Sequence, residues 1–176
     1  MNRQARKIFR FFTLLAAIVI LPVVLASDDD IDADEFLNRV FAGELPASKT
    51  VWLTGEIKDT AEAILGHKPE FLRLRYWGDQ QRSAWVVDEI GKTEPITIGV
   101  VVTENKIAEI KVLAFRESRG WEIKFDFFTR QFAGAAIANR QNLDRHIDGI
   151  SGATLSVRAM TNVSRLVLFL SESVAT

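Results

Sequence analysis

One short stretch holds most of the residues able to do chemistry. Asp148-Gly149-Ile150-Ser151-Gly152-Ala153-Thr154-Leu155-Ser156 puts an acid, two glycines and three hydroxyls within nine positions. Small residues ahead of an apolar run at helical spacing read as a turn feeding a helix. Gly149 and Gly152 are expected to take backbone angles closed to other residues. Ser151, Thr154 and Ser156 crowd the N-terminus of that helix, where free N–H groups and the positive dipole end favour a phosphate. Plain N-capping would use the same residue types. The stretch is not a nucleophile elbow, because Gly149-Ile150-Ser151-Gly152 lacks a residue between the serine and the second glycine. Nor is it a P-loop, since no lysine follows the turn. His146 and Asp148 imitate a metal pair, but without a third ligand no metal site is assigned. His67 reads as an ordinary polar residue.

The elements that must position this stretch can be read from periodicity. Phe36, Leu37, Val40 and Phe41 fall at helical spacing and predict a helix over 34–41, stopped by Gly43 and Pro46. A second helix is predicted over 56–65 with Gly66 as its stop. Residues 71–77 alternate Leu72, Leu74 and Tyr76 with Arg73 and Arg75, which predicts a strand with one wet face. Residues 85–89 read as a further strand, turned by Gly91. The clearest hairpin pairs 96–102 with a return strand carrying Ile107, Ile110, Val112 and Phe115, across a turn at Thr103-Glu104-Asn105-Lys106. A last helix is predicted over 154–171, burying Val157, Met160, Val163, Val167 and Leu170. Helices before, between and after paired strands predict an α+β fold with a mainly antiparallel sheet.

The chain has 176 residues and no cysteine. That length suffices for one domain with a real core. The missing cysteines exclude disulfides, thiolate metal sites, iron–sulfur clusters and a cysteine nucleophile. A net charge of −1 gives no case for a nucleic-acid partner. Arg3, Arg6, Lys7 and Arg10 precede 16 uncharged residues, Phe11 to Ala26, with Pro22 and small residues near their end. This is the plan of a secretory signal peptide. As a helix the run reaches only ~24 Å against a ~30 Å hydrocarbon core, which favours cleavage before Ser27; a retained signal anchor extended by Ile8 and Phe9 is the rival. Either way the rest of the chain is expected outside the cytoplasm. Without its leader it holds 18 basic and 23 acidic residues, the excess beginning with a run of aspartates at 28–34 read as a linker and helix start.

The stretch from Asp148 to Ser156 resembles the flavinylation motif of the FMN-binding domain family, which includes flavin-carrying members of the sodium-pumping NADH:quinone reductase and of the Rnf electron-transport complex. The resemblance implies that Thr154 carries FMN through a phosphoester. It implies a turn formed by Ser151, Gly152 and Ala153, with Asp148 as its acidic head. It also implies a partner, a flavin transferase that uses FAD and magnesium outside the cytoplasm. Upstream, the hairpin followed by Phe115-Arg116-Glu117-Ser118-Arg119-Gly120-Trp121-Glu122 is similar to the family's strand and Glu-Thr-x-Gly-like loop. Ser118 stands for the threonine, and the Pro-Gly-Leu-Gly run of the members in those two complexes is missing, which points to a stand-alone or differently partnered member. The likeness covers roughly residues 84–170. It suggests an FMN-binding domain at 84–176, an N-terminal helical or linker part at 27–83 and a signal or anchor at 1–26.

The function that the resemblance implies is that of an exported electron-transfer flavoprotein in a periplasmic or membrane-associated redox chain, at the outer face of the inner membrane. Its partners would be periplasmic or membrane redox proteins. It would be a carrier more than a stand-alone enzyme, with the protein placing the flavin and tuning its potential. Cofactor contacts are expected from Thr154, Ser151, Gly152, Ala153, Asp148, Glu117, Ser118 and Trp121. Glu117 would either bond the flavin or hold its loop, and Asp148 would cap the turn or accept a proton. Trp85, Phe127 and Phe128 are further ring candidates, although aromatics usually bury themselves in cores. Arg116, Arg119 and Lys124 would gather near reduced flavin or form a solvated basic loop. Two other readings stay open: a periplasmic flavin-dependent reductase of a small molecule, and a cofactor-free interaction module of the same fold.

Overall fold

The computed structural model describes residues 30–139 and 142–175. The signal or anchor segment expected at 1–26 lies outside the described residues. Five strands, β1 Lys49–Trp52, β2 Arg73–Gly78, β3 Arg82–Ile90, β4 Pro95–Thr103 and β5 Lys106–Phe115, form one antiparallel sheet in sequential order. Helices α1 Ala33–Val40, α2 Gly55–Leu65, α3 Asp126–Thr129 and α4 Thr154–Ala175 flank it, and a small hairpin pairs β6 Ile137–Asn139 with β7 Asn142–Leu143. The fold is α+β with an antiparallel sheet, as the sequence predicts.

The sheet has two buried faces of unequal size. Ile96, Ile98, Val100 and Val102 alternate along β4 and enter the main core, where α2 and α4 cover them with Ile64, Leu65, Met160, Val163 and Val167. On the other face α1 sets Phe36, Leu37 and Phe41 against Ala84, Val101 and Leu113. Gly99 makes that second layer possible, because a Cβ there would stand 2.8 Å from the Phe36 ring. Such burial contributes on the order of 1.5–3 kcal/mol per large apolar side chain. β5 carries Ile107, Ile110 and Val112 on the main-core face, a spacing no flat strand allows. Irregularities in the β4–β5 register supply the extra residues: Val101 faces Glu109 while Val102 faces Ile107, and Thr97 faces Ala114 while Ile98 faces Val112.

The punctuation residues act largely as their chemistry demands. Gly66 closes α2 in the left-handed conformation, its N–H donating to Glu62 O at 2.8 Å. Glu104 and Asn105 both take positive φ, +52° and +58°, the pattern of a type I′ hairpin turn. Asp32 caps α1 by accepting the Asp34 N–H, so part of the aspartate run has a structural task. Three local readings change. β1 was not anticipated; only Val51 of its four residues is buried, so it has no alternation to detect. Leu72 precedes β2 and is exposed, whereas Leu74 is buried. β3 begins at Arg82 and runs through the expected 83/84 boundary, and β1 and β2 join the same sheet.

Candidate functional site

The turn before α4 is shaped by one glycine. Gly152 has φ +84°, whereas Gly149 is not among the positive-φ residues, so only the second glycine needs its conformational freedom. The Ala153 N–H closes the turn onto Ile150 O at 3.0 Å, and the first α-helical bond runs from Val157 N–H to Ala153 O at 2.9 Å. The N–H groups of Thr154, Leu155 and Ser156 therefore lie at the open end of a 22-residue helix, without i−4 partners inside it. Thr154 is exposed as the first helical residue, while Ala153 and Ser156 are buried beneath it.

What buries them is the loop after β5. Gly120, at φ +91°, brings its backbone so close that a Cβ would stand 3.1 Å from Ala153 Cβ and 3.2 Å from Ser156 Oγ. Between this loop and the helix start lies a cavity of about 550 Å3. Its wall comes from three segments: Lys92 in the β3–β4 turn, Glu117-Ser118-Arg119, and Gly152 to Ser156. Thus Thr154, Gly152, Ala153, Glu117 and Ser118 converge on one cavity. Ser151 is exposed in the adjoining turn, and Trp121 lies outside the cavity wall, about half exposed.

Glu117 holds a loop. Its Oε1 accepts the N–H groups of Lys92, Thr93 and Glu94 at 2.5, 2.6 and 3.0 Å, and Thr93 Oγ1 donates to Oε2 at 3.2 Å. The Glu94 and Thr93 N–H groups, then those of Lys92 and the Thr93 hydroxyl, pull its carboxyl down to about 2. The carboxylate thereby fixes the turn that carries Lys92 into the cavity wall. The Asp148 N–H donates to Gln131 Oε1 at 2.7 Å, while its exposed carboxylate stands 3.6 Å from an equally exposed His146. Among the described residues no group of three or more ligand-type side chains could hold a metal.

The expected basic cluster does not assemble. Arg116 donates to Pro95 O and Thr97 Oγ1 at 3.1 Å, and Lys124 pairs with Asp30 at 3.8 Å. The cations on the cavity wall are Arg119 and Lys92, and the sequence reading missed Lys92. The signal was available in Gly91-Lys92-Thr93-Glu94, a polar turn between two strands, but nothing local says which loop it will face. The aromatics also sort themselves. Trp85 and Phe128 are fully buried, Trp85 stacking on Tyr76 at 4.6 Å, so both are core residues, whereas Phe127 is exposed.

His67 is more than a passive polar residue. Its Nε2 lies 2.8 Å from Oε1 of Glu89, a carboxylate with 6% exposure, and its Nδ1 lies 2.9 Å from Lys68 O. The Lys68 carbonyl raises the imidazole above its ordinary value, with Glu89 adding to the effect. Burial raises Glu89, and His67 only partly opposes it. This pair lines a second cavity of about 290 Å3, which shares Lys92 and Leu155 with the first.

The donor set of the larger cavity suits the phosphate end of a nucleotide-like cofactor: unpaired N–H groups, two cations, and a hydroxyl at the helix start. No curated protein matches the chain. Residues 91–168 match the family model of the FMN-binding domain, a span that opens at the turn held by Glu117 and closes inside α4.

Proposed function

We propose that the protein is an exported electron carrier bearing FMN covalently on Thr154. The observation that carries this reading is the placement of the Thr154 hydroxyl, exposed on the wall of the cavity at the first residue of α4. Bound FMN would supply reversible one- or two-electron chemistry. The chain's own residues supply the rest. Thr154 Oγ1 would bond to phosphorus, with AMP leaving from FAD in a flavin transferase, as the motif's resemblance implies. A threonine hydroxyl is a weak nucleophile, so the transferase must supply the activation. Exposed Ser151 and Gly152 leave room for such an enzyme to reach the acceptor. The phosphodiester charge would then meet the α4 N–H groups, Lys92 and Arg119. A charge at a helix N-terminus is worth about 0.3–1 kcal/mol, so covalent attachment, and not this interaction, would keep the cofactor in place outside the cytoplasm.

Glu117 would act as a positioning residue, holding Lys92 in place through the turn. Ser118 and Ala153 would line the pocket, and Asp148, exposed beside His146, would be available to the transferase. A periplasmic or membrane-bound protein would exchange electrons with the flavin. Coexpression with a flavin transferase and intact-mass measurement tests the reading. Wild type should gain one FMN and Thr154→Ala none, with the adduct mapped to the Thr154 peptide. An unmodified wild type under conditions that flavinylate a control substrate would overturn it.

A further inference from the structure

The second cavity, of about 290 Å3, is walled by segments that the flavin reading leaves unused. The exit of α2 gives Leu65 and His67, the end of β3 and its turn give Glu89 and Lys92, and α4 gives Leu155 and Arg158. Polar groups stand here where the core pattern asks for apolar ones. Trp85 and Val87 enter the main core from β3, and Glu89 continues their alternation while almost completely buried. Asn162 is buried on the α4 face that carries Leu155 and Arg158, and its amide donates to Leu65 O at 3.0 Å. A carboxyl in such a place costs stability unless it is paired, and the side chain that pairs with Glu89 is His67.

The mouth of the cavity carries the opposite charge. Lys92 and Arg158 are exposed on its wall, and neither side chain has a partner among the described residues. Glu70 is the exposed acid that faces them from the exit of α2. Glu89 lies deeper, where burial raises its carboxyl and His67 offsets the charge it keeps. Positive charge is therefore in excess at the mouth, and Leu65 and Leu155 supply apolar wall. A few polar groups set around apolar wall are the make-up of a small-molecule site, and this volume is at the lower end for one.

We propose that this cavity binds a small organic acid, with its carboxylate on Lys92 and Arg158, its apolar body against Leu65 and Leu155, and a hydroxyl or carbonyl oxygen meeting the His67–Glu89 pair. Both cations give a carboxylate charge-assisted hydrogen bonds, which are the strong ones. The imidazole and the carboxyl inside can donate to or accept from the acid's second oxygen. The site goes beyond the flavin reading and does not need it. Because Lys92 and Leu155 line both cavities, the acid would sit beside the phosphate end of a cofactor held at Thr154.

Modification of the histidines of the full-length chain by diethyl pyrocarbonate, followed peptide by peptide by mass, tests the site with para-hydroxybenzoate as the probe. His146, exposed and outside the cavity wall, is the internal control. Millimolar para-hydroxybenzoate should slow modification of His67 several-fold and leave His146 unchanged. Para-cresol, which keeps the ring and the hydroxyl but not the charge, should give no protection. Benzoate, which lacks the hydroxyl, should protect only at higher concentration. Arg158→Gln should raise the concentration needed about tenfold, the loss of one charge-assisted bond, and Lys92→Gln repeats the test should Arg158→Gln fail to fold. No protection of His67, equal protection by para-cresol or by inorganic phosphate, or protection untouched by the substitution overturns the site. Benzoate as effective as the hydroxylated acid overturns the part given to the His67–Glu89 pair. If flavin loading shields His67 and the acid adds nothing, the cavity belongs to the cofactor and the proposal falls. Attachment at Thr154 is read separately, from the mass of its own peptide.

Discussion

Glu89 and Glu117 flank one four-residue turn and titrate in opposite directions. Glu89 sits two residues before Gly91, is almost completely buried, and has His67 as its polar partner at 2.8 Å. Its carboxyl is raised because loss of water outweighs the His67 imidazole and the Ile90 N–H together. Glu117 approaches the same turn from β5 and gathers three backbone N–H groups and a hydroxyl, which bring it down to about 2. The difference teaches that the number of donors facing a carboxylate, and the water left to it, decide the direction in which it titrates; closeness in sequence to the site does not. Lys92 connects the two, lining both cavities from the turn they share.

The harshest way to break this comparison is Gly91→Ala. A Cβ there would stand 2.9 Å from Ile96 Cδ1, which is fully buried, and 3.0 Å from Glu117 Oε1. We expect destabilisation of about 1–3 kcal/mol in urea unfolding, as for overpacked cores. Wild-type stability in Gly91→Ala would mean that the turn is not held where the structure has it.

Glu117→Gln sharpens one arm. A carboxyl lowered on folding contributes stability above its unfolded value, near 4.5, and that contribution is lost as pH falls toward about 2. Wild-type melting temperature should therefore drop between pH 5 and 2, and the variant should show a smaller drop across that window. Flavin loading of the variant should also fall several-fold as the Lys92 turn loosens. An unchanged acid limb would refute the role given to the carboxylate.

Glu89→Gln tests the other arm, with the smallest expected effect. A carboxyl raised on folding contributes stability present below its unfolded value and lost as pH rises through the folded one. His67, also raised, has the same sign: its contribution is present below about 6.5 and fades as pH rises past its folded value. The wild type should thus lose stability from pH 4.5 upward through neutrality, and Glu89→Gln should flatten that slope with less than a few degrees' change in melting temperature at pH 7. A slope unaltered by the substitution, measured by thermal unfolding at pH 5 and 8, would show that the pair carries none of it.

Much of the site was legible because its chemistry is local. Thr154 at a helix start, Gly152 in a left-handed turn and Gly66 as a helix stop follow from residue type and neighbours. Glu117 was legible as a loop residue, but its triple N–H cradle depends on a turn 23 to 25 residues away in sequence. Lys92 and the His67–Glu89 pair were missed for the same reason, since each depends on contacts across strands. The bulges in β5 were hidden too: Ile107 and Ile110 carry no mark of which face they take until β4 pairs with them.

The sequence by itself determined the α+β class, the hairpin at Glu104-Asn105 and the turn that presents Thr154, because these rest on side-chain periodicity and on backbone angles that few residues tolerate. Tertiary structure alone decided which cations reach the cavity, which aromatics stay in water and which carboxyl is raised and which lowered. Those outcomes depend on distances between segments remote along the chain and on how much water packing leaves between them.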